Sequence, residues 1–328
     1  YMYKSETKGN NKDPSGMIGN GDIVIIKVNS QWSERGGTNT DLVKALIKVI
    51  LEHPDGFNGE IVIADNGQGR GSMSWSQSNA EDHAQSFEKL ADYFPTYKVS
   101  TYLWDKIAGR VAQEYSEGDL EDGYVITKIP LAGASSKNQN VSYPKFSTKY
   151  GTYISFGKGI WDPNSRSYHS SKLKVINVPV LKSHSGYGFK AAIKHYMGVV
   201  SQSLTNAHSV IGYGAMGTEL ANSRYPVLNI IDAIWINARP GSGPATSYSE
   251  AVRTNLILAS TDPIALDTWA TTHVLSEIAR KSGFGSGEIP SFNPYTSYLK
   301  DSMSELQAYG YPVTMDEKRI EICATNAF

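Results

Sequence analysis

The chain has 328 residues, enough for one large domain or two ordinary ones. Its 31 Lys and Arg nearly cancel 32 Asp and Glu, so no global field points to a nucleic acid or an anionic membrane as partner. The single cysteine, Cys323, excludes an internal disulfide and any all-cysteine zinc or iron–sulfur site.

Residues 1–16, "YMYKSETKGNNKDPSG", read as a flexible polar tail without the apolar core of a signal peptide. "DIVIIKVN", residues 22–29, is a β-branched strand. "TDLVKALIKVILEHPDG" reads as a helix capped by Thr40, with Leu42, Leu46, Val49 and Ile50 as its apolar stripe and Pro54 and Gly56 as its stop. "GEIVIADN" is a second buried strand, which completes a β-α-β unit with parallel strands. "NAEDHAQSFEKLADYF" follows as an amphipathic helix and "YKVSTYLW" as a strand, filling an N-terminal α/β lobe over 17–115. Residues 116–170 mix Gly, Ser, Lys and aromatics with short runs such as "GYVITKIP" and "YGTYISF", and read as an insertion or hairpin layer.

A C-terminal α/β lobe covers 171–328. In it "KLKVINVPVL" is a strand, "GFKAAIKHYMGVV" a helix, and "YPVLNIIDAIWIN" and "RTNLILAS" are strands. "DPIALDTWATTHVLSEIARKS" and "YTSYLKDSMSELQAYG" read as helices and "RIEICA" as a closing strand. The alternation predicts an α/β fold of three layers around a mostly parallel sheet, in two lobes with a cleft. No apolar run approaches the roughly 20 residues of a membrane helix. Few charges and many Tyr, Ser, Asn and Gly favour an exported protein, periplasmic or extracellular, over a cytoplasmic one.

In parallel sheets ligands bind outside the carboxyl ends of the strands, and the polar residues there form a distinctive set. Lys27 and Asn29 end the first strand, Asp65 the second, and Lys182, Ser183 and His184 the strand after the insertion; Asp232, Asn255 and Asp262 lie near later ends. Lys190 and Lys194 are four apart, so on a helix they project together beside a core stripe of Phe189, Ile193, Met197 and Val200. An anion between them, or a carboxylate from a neighbouring strand, would offset their repulsion. A solvated helix face with snorkelling stems is the plain alternative. "SHSGYGFKA" fits a strand-to-helix turn whose free helix N-terminus favours anions. It lacks the acidic residue a dinucleotide site wants about 20 positions later. "NGQGRGS", with Arg70, lacks a P-loop ending and reads as a mobile turn. His184, His195 and His208 with Asp65, Asp232 or Asp267 are candidate ligands for a divalent metal, though their spacing matches no tight signature. Asp262 before Pro263 reads as a helix N-cap. Asp267 is a candidate partner for a buried lysine. No G-x-S-x-G is present, which disfavours a serine nucleophile.

"IIKVN", "VINVPVLKSH", "AAIKHYMGVV" with His208 downstream, "VLNIIDAI" and "NLILASTDPIALD" together resemble the family of unknown function called DUF362, over residues 22 to about 270. The resemblance implies that Lys27, Asn29, Lys182, His184, Lys190, Lys194, His208, Asp232, Asp262 and Asp267 occupy that family's motif positions. The family pattern usually has Pro where Val28 stands and Asn where His195 stands. Some members carry cysteine-rich ferredoxin segments; this chain does not, so no iron–sulfur cluster is carried over. The family is also distantly similar in architecture to nickel-pincer lactate racemases, an analogy that does not fix function.

The leading expectation is an enzyme binding a small anionic substrate or cofactor in a Lys/His/Asp-lined cleft. Lys182, His184 and His208 are the catalytic candidates, imidazole being the natural acid/base near neutral pH. Lys27, Asn29, Lys190, Lys194 and Asn255 are the anion-binding candidates, and Asp65, His195, Asp232 and Asp267 the metal candidates. The alternative is a non-catalytic extracytoplasmic binding or self-assembling protein, a homo-oligomer that keeps an enzyme-like fold.

Overall fold

The computed structural model describes residues 1–75, 81–245, 249–285, 287 and 289–326. After a small N-terminal sheet of two-residue strands, the chain forms strand β1 (Ile23–Lys27), helix α1 (Thr40–Leu51), strand β2 (Glu60–Asp65), helix α2 (Phe87–Asp92) and strand β3 (Lys98–Leu103). The three strands pair in parallel. Val24, Ile26, Ile61 and Ile63 pack with α1 and α2, while Ile25, Val62 and Ala64 enter the core on the opposite face. Burial on both faces is why these strands read as unbroken apolar runs.

Two local expectations shift. The cap of α1 is Asn39, whose side chain accepts from the Asp41 N–H, and its buried stripe is Val43, Leu46, Ile47 and Ile50. Val49 is exposed. The helix expected over 79–94 begins only at Phe87, capped by Ser86; its first residues lie outside those described.

Residues 123–169 form a five-stranded antiparallel meander: β4 (Gly123–Leu131), β5 (Ala134–Ser147), β6 (Tyr153–Ser155), β7 (Gly159–Asp162) and β8 (Ser167–His169). Tyr124, Val141, Phe146 and Phe156 press it into the same core as Ile25 and Val62.

The chain then rejoins the main sheet. β9 (Leu173–Asn177) pairs in parallel with β1 over five residues, so the two α/β stretches contribute to one sheet. Strand β10 (Val180–His184) follows after a break at Val178–Pro179. Pro179 has no N–H to give a ladder. Instead the Val178 N–H donates to the Lys27 carbonyl (2.8 Å) and the Pro179 carbonyl accepts from the Asp232 N–H (2.8 Å).

The helix expected over 188–200 is mostly absent. β11 (Gly188–Lys190) turns back on β10 as a hairpin, followed by a one-turn helix α3 (Ala192–His195) and a 3₁₀ turn. Gly188, at φ +80°, supplies the left-handed backbone that this reversal needs. Phe189, Ile193, Met197 and Val200 are buried nonetheless, and a short buried run does not distinguish strand from helix.

Helix α4 (Ala215–Asn222) leads to β12 (Leu228–Asn237), which runs parallel to β9 at its start and to β10 further on. β13 (Val252–Ser260) lies antiparallel on its other edge. Helix α5 (Pro263–Trp269) continues through a π-helical stretch into α6 (Ser276–Lys281), and α7 (Tyr298–Ala308) follows. As expected, Asp262 caps α5, with Pro263 in its first turn. The expected closing strand at 319–324 does not form. A cavity lined by Leu258, Trp269 and Ile322 lies between that segment and β13, so the backbones do not ladder.

The protein is thus mixed α/β with a large, mostly parallel sheet. α1 and α2 cover one face; the meander and the later helices cover the other. Among the described residues no helix is long and apolar enough to cross a membrane.

Candidate functional site

The ends of β1 and β2 and the β10–β11 hairpin open onto a cavity of about 270 Å³. Lys27, Asn29, Asp65, His184, Lys190 and Lys194 line it, with Trp32, Arg70 and His208 also facing in. The lysines in and behind its wall are held in four different ways.

Lys27 is fully buried and ion-paired to Asp65 (Nζ to Oδ1, 2.8 Å). It also donates to the carbonyls of His195 (2.9 Å) and Val28 (3.2 Å). Three oxygens thus lie within 3.2 Å of its ammonium. The other Asp65 oxygen accepts from the Ser30 N–H and hydroxyl at 2.7 and 3.1 Å. Burial pushes Lys27 down to about 8, with Asp65 pulling the other way. Gly198 presses on the pair: a Cβ there would lie 2.4 Å from Lys27 Nζ and 2.5 Å from Asp65 Oδ1.

Lys182 is buried outside the cavity lining and donates to the Gly36 carbonyl. Asp232 supplies its opposing charge at longer range. That carboxylate accepts from the N–H groups of Asn39 (2.7 Å) and Ile234 (3.1 Å). Burial pushes Lys182 down to about 7 and Asp232 up to about 6. Lys194 sits over the Tyr187 ring, 4.6 Å from its centroid, and burial pushes it down to about 8.

Lys190 is different. Its backbone pairs with that of Lys182 across the hairpin. Its ammonium faces the cavity and has neither a hydrogen-bond acceptor nor a carboxylate partner among the described residues. Burial, then Lys182, Lys27 and Lys194, holds its pKa well below the ordinary lysine value; Asp65 opposes them.

Asn29 repeats the pattern without charge. Its backbone is clamped, the N–H donating to Thr38 Oγ1 at 2.8 Å and the carbonyl accepting from the Thr38 N–H at 3.1 Å. Its side chain is buried, and neither the amide oxygen nor the amide nitrogen has a partner among the described residues. Buried polar groups are nearly always paired, so an amide held rigid with both ends free is an exception to that rule.

His184 accepts from the Gly186 N–H through Nδ1 at 3.1 Å, which leaves the proton of the neutral ring on Nε2. Burial and the three nearby lysines push its pKa down to about 3; burial and Lys194 push His208 down to about 4.

Several expected site residues have other duties. His195 turns both ring nitrogens to protein oxygens, Nδ1 to Asn177 Oδ1 and Nε2 to the Val28 carbonyl, each at 2.9 Å. That leaves no nitrogen for a metal. Asp267 pairs with no lysine; it accepts from the N–H groups of Ala192 (2.7 Å) and Ile193 (2.9 Å), which ties α3 to α5. The start of α3 therefore holds the protein's own carboxylate. The "SHSGYGFKA" turn joins two strands, so no helix N-terminus stands there. In "NGQGRGS" the N–H groups of Gly67 and Gly69 are taken by Asp105. Asn255 lies on the edge strand β13, away from the cavity, where its side chain accepts from Arg253. No group of three or more His, Cys, Asp or Glu side chains suited to a metal ion gathers among the described residues. Trp32 was not anticipated, although its loop follows the end of the first strand, where the strand-end rule already pointed.

Residues 169–272 match the model of a family described as a domain of unknown function, DUF362. This segment is similar to that family. It supplies Lys182, His184, Lys190, Lys194 and His208, whereas Lys27, Asn29 and Asp65 come from the chain before it. No curated protein and no solved structure matches the chain.

Gly198→Ala should force the Lys27–Asp65 pair apart. Separating a buried pair costs roughly 3–5 kcal/mol, and urea melts should show a loss of that order. A loss below about 1 kcal/mol would mean that the pair shifts without breaking.

Folding lowers the Lys182 pKa from 10.5 to about 7. Between those values the unfolded chain keeps a proton that the folded chain has released, so stability rises with pH through that window; below it the penalty is complete. In Lys182→Met the rise should shrink by up to about 1.4 kcal/mol per pH unit, while Lys190 and Lys194 still contribute. Denaturant melts across the window check this; an unchanged slope would mean that Lys182 stays protonated.

Proposed function

We propose that the protein is an enzyme acting on a small organic anion, a carboxylate or phosphate compound, bound in the lysine-lined cavity. The observation that carries this reading is the Lys190 ammonium, buried at a cavity wall with no acceptor of its own. Lys194 adds a second cation that no protein carboxylate pairs, and Arg70 a third at the wall. Stripping water from a charge is costly unless a partner replaces it, and an anionic ligand is the partner this wall lacks. Asn29 would hold a ligand oxygen or hydroxyl through its free amide.

The chemistry shifts from the imidazoles to the amines. With His184 at about 3 and His208 at about 4, both rings are neutral at physiological pH and serve as hydrogen-bonding groups. A catalytic acid or base works best with its pKa near the working pH. Lys194, at about 8, meets that condition and lines the cavity. Lys182, at about 7, backs it from outside. A divalent metal is not part of this reading, because His195, Asp232 and Asp267 are each held by protein groups.

Thermal melts with and without oxalate or inorganic phosphate test it. A ligand at 100 times its Kd stabilises by about 2.7 kcal/mol. Lys190→Met should melt above the parent in the absence of anion, because a repelled buried charge is gone, and should lose the anion-dependent gain. An anion-dependent gain that survives in Lys190→Met would sink the proposal. The affinity of the parent should also fall as pH rises past 8, where Lys194 must take up a proton to stay charged; a flat profile would argue against it.

A further inference from the structure

Resting on that reading of the cavity, we propose that Lys190 is a covalent nucleophile: its amine condenses with the carbonyl carbon of a small oxo-acid, whose carboxylate is held by Lys194. The argument begins with what the lysines are already doing. Lys27 has three oxygen partners. Lys182 is hydrogen-bonded to a backbone carbonyl, and Lys194 rests on an aromatic face. Each of those contacts favours the protonated, unreactive form. Among the described residues Lys190 has no such contact, although it pairs with Lys182 across the hairpin, lines the cavity beside Lys27 and Lys194, and feels the charge of all three.

Hydrogen bonds and counterions keep an amine protonated; desolvation and neighbouring cations release its lone pair. An amine desolvated beside other cations is a recognised way to activate a lysine towards carbonyl groups. The electrostatic environment agrees in direction, since burial and the three ammoniums all lower the Lys190 pKa.

The neighbours suit the other atoms of the reaction. The Lys190 Nζ lone pair forms the N–C bond while the carbonyl π electrons move to oxygen. That oxygen takes a proton from the Lys194 ammonium at the same cavity, and the nitrogen, now cationic, returns one to the Lys194 amine, giving a neutral carbinolamine. The Asn29 amide has a free donor for the oxygen and a free acceptor for the resulting hydroxyl. Loss of water, with the C–O bond electrons leaving on oxygen and a second proton from Lys194 added to it, lets the nitrogen lone pair form C=N as an iminium, which returns its remaining proton to the Lys194 amine to leave the imine. Amine and carbonyl compound become imine and water, and no oxidant or co-reactant is consumed. A volume of 270 Å³, at a water molecule's share of about 30 Å³, leaves room for an oxo-acid with several waters.

The test is reductive trapping on the full chain. Pyruvate and sodium cyanoborohydride at neutral pH should place one carboxyethyl group on Lys190, located by peptide mass mapping. Exposed lysines such as Lys8 stay hydrated, so Lys190, desolvated beside other cations, should react at least about tenfold faster than they do. Excess oxalate, which carries charge but no ketone, should suppress the Lys190 adduct alone. A faster adduct at Lys194, or none above the exposed background, overturns the proposal. Oxalate titrated by calorimetry in parallel separates the two claims. Oxalate binding without an adduct leaves the anion site standing and removes the nucleophile; absence of both removes the anion site as well.

Discussion

The ion pair between Lys27 and Asp65 is the contact on which the rest of the site depends. It joins the ends of two parallel strands at the point where their side chains leave the sheet and meet the cavity. It draws in a third segment, because Lys27 also donates to the His195 carbonyl and Gly198 lies against both charges. Through Ser30 it fixes the loop that carries Trp32. One buried pair therefore sets the floor of the cavity from elements far apart in the chain.

With that pair closed on itself, the remaining charge is unbalanced. Asp65 is spent on Lys27, and Asp232 and Asp267 are largely occupied with backbone N–H groups. Lys190 and Lys194 are left facing an open volume without a carboxylate between them. Proteins seldom keep such an arrangement for stability, since it is unfavourable in the empty state; perturbed, partnerless groups in a cavity gather where ligands bind. The same protein supplies its own anions elsewhere: Asp105 closes the glycine loop, Asp267 the start of α3 and Asp262 the start of α5. The cavity is the contrast to those finished sites.

Much of the site was legible before the fold was known. Lys27, Asn29 and His184 were picked out by the rule that ligands meet the carboxyl ends of parallel strands, Lys190 and Lys194 by their spacing, and His208 as a histidine of the resembled family's motif; all six line the cavity. What the residues do was less legible. Lys27 and Asp65 are a pair of opposite charges from separate strands, and nothing in their spacing along the chain announces the contact. Asn255 failed because its strand runs antiparallel at the sheet edge, so its position along the chain does not place it on the same rim. Lys190 was placed on a helix because short buried segments have no diagnostic period, and the hairpin that holds it depends on pairing with β10.

The sequence by itself determined the strands of the main sheet apart from β11, the α1 and α5 helices, the absence of a thiol framework, and the type of side chain gathered at one rim. Those follow from local rules: apolar period, turn and cap residues, and composition. Only the tertiary structure decided which lysine is neutralised, that Asp267 closes the start of α3, and which amine is left alone. Those outcomes depend on distances of a few ångströms between segments remote in the chain, and on a desolvation that exists only once the core has closed around them.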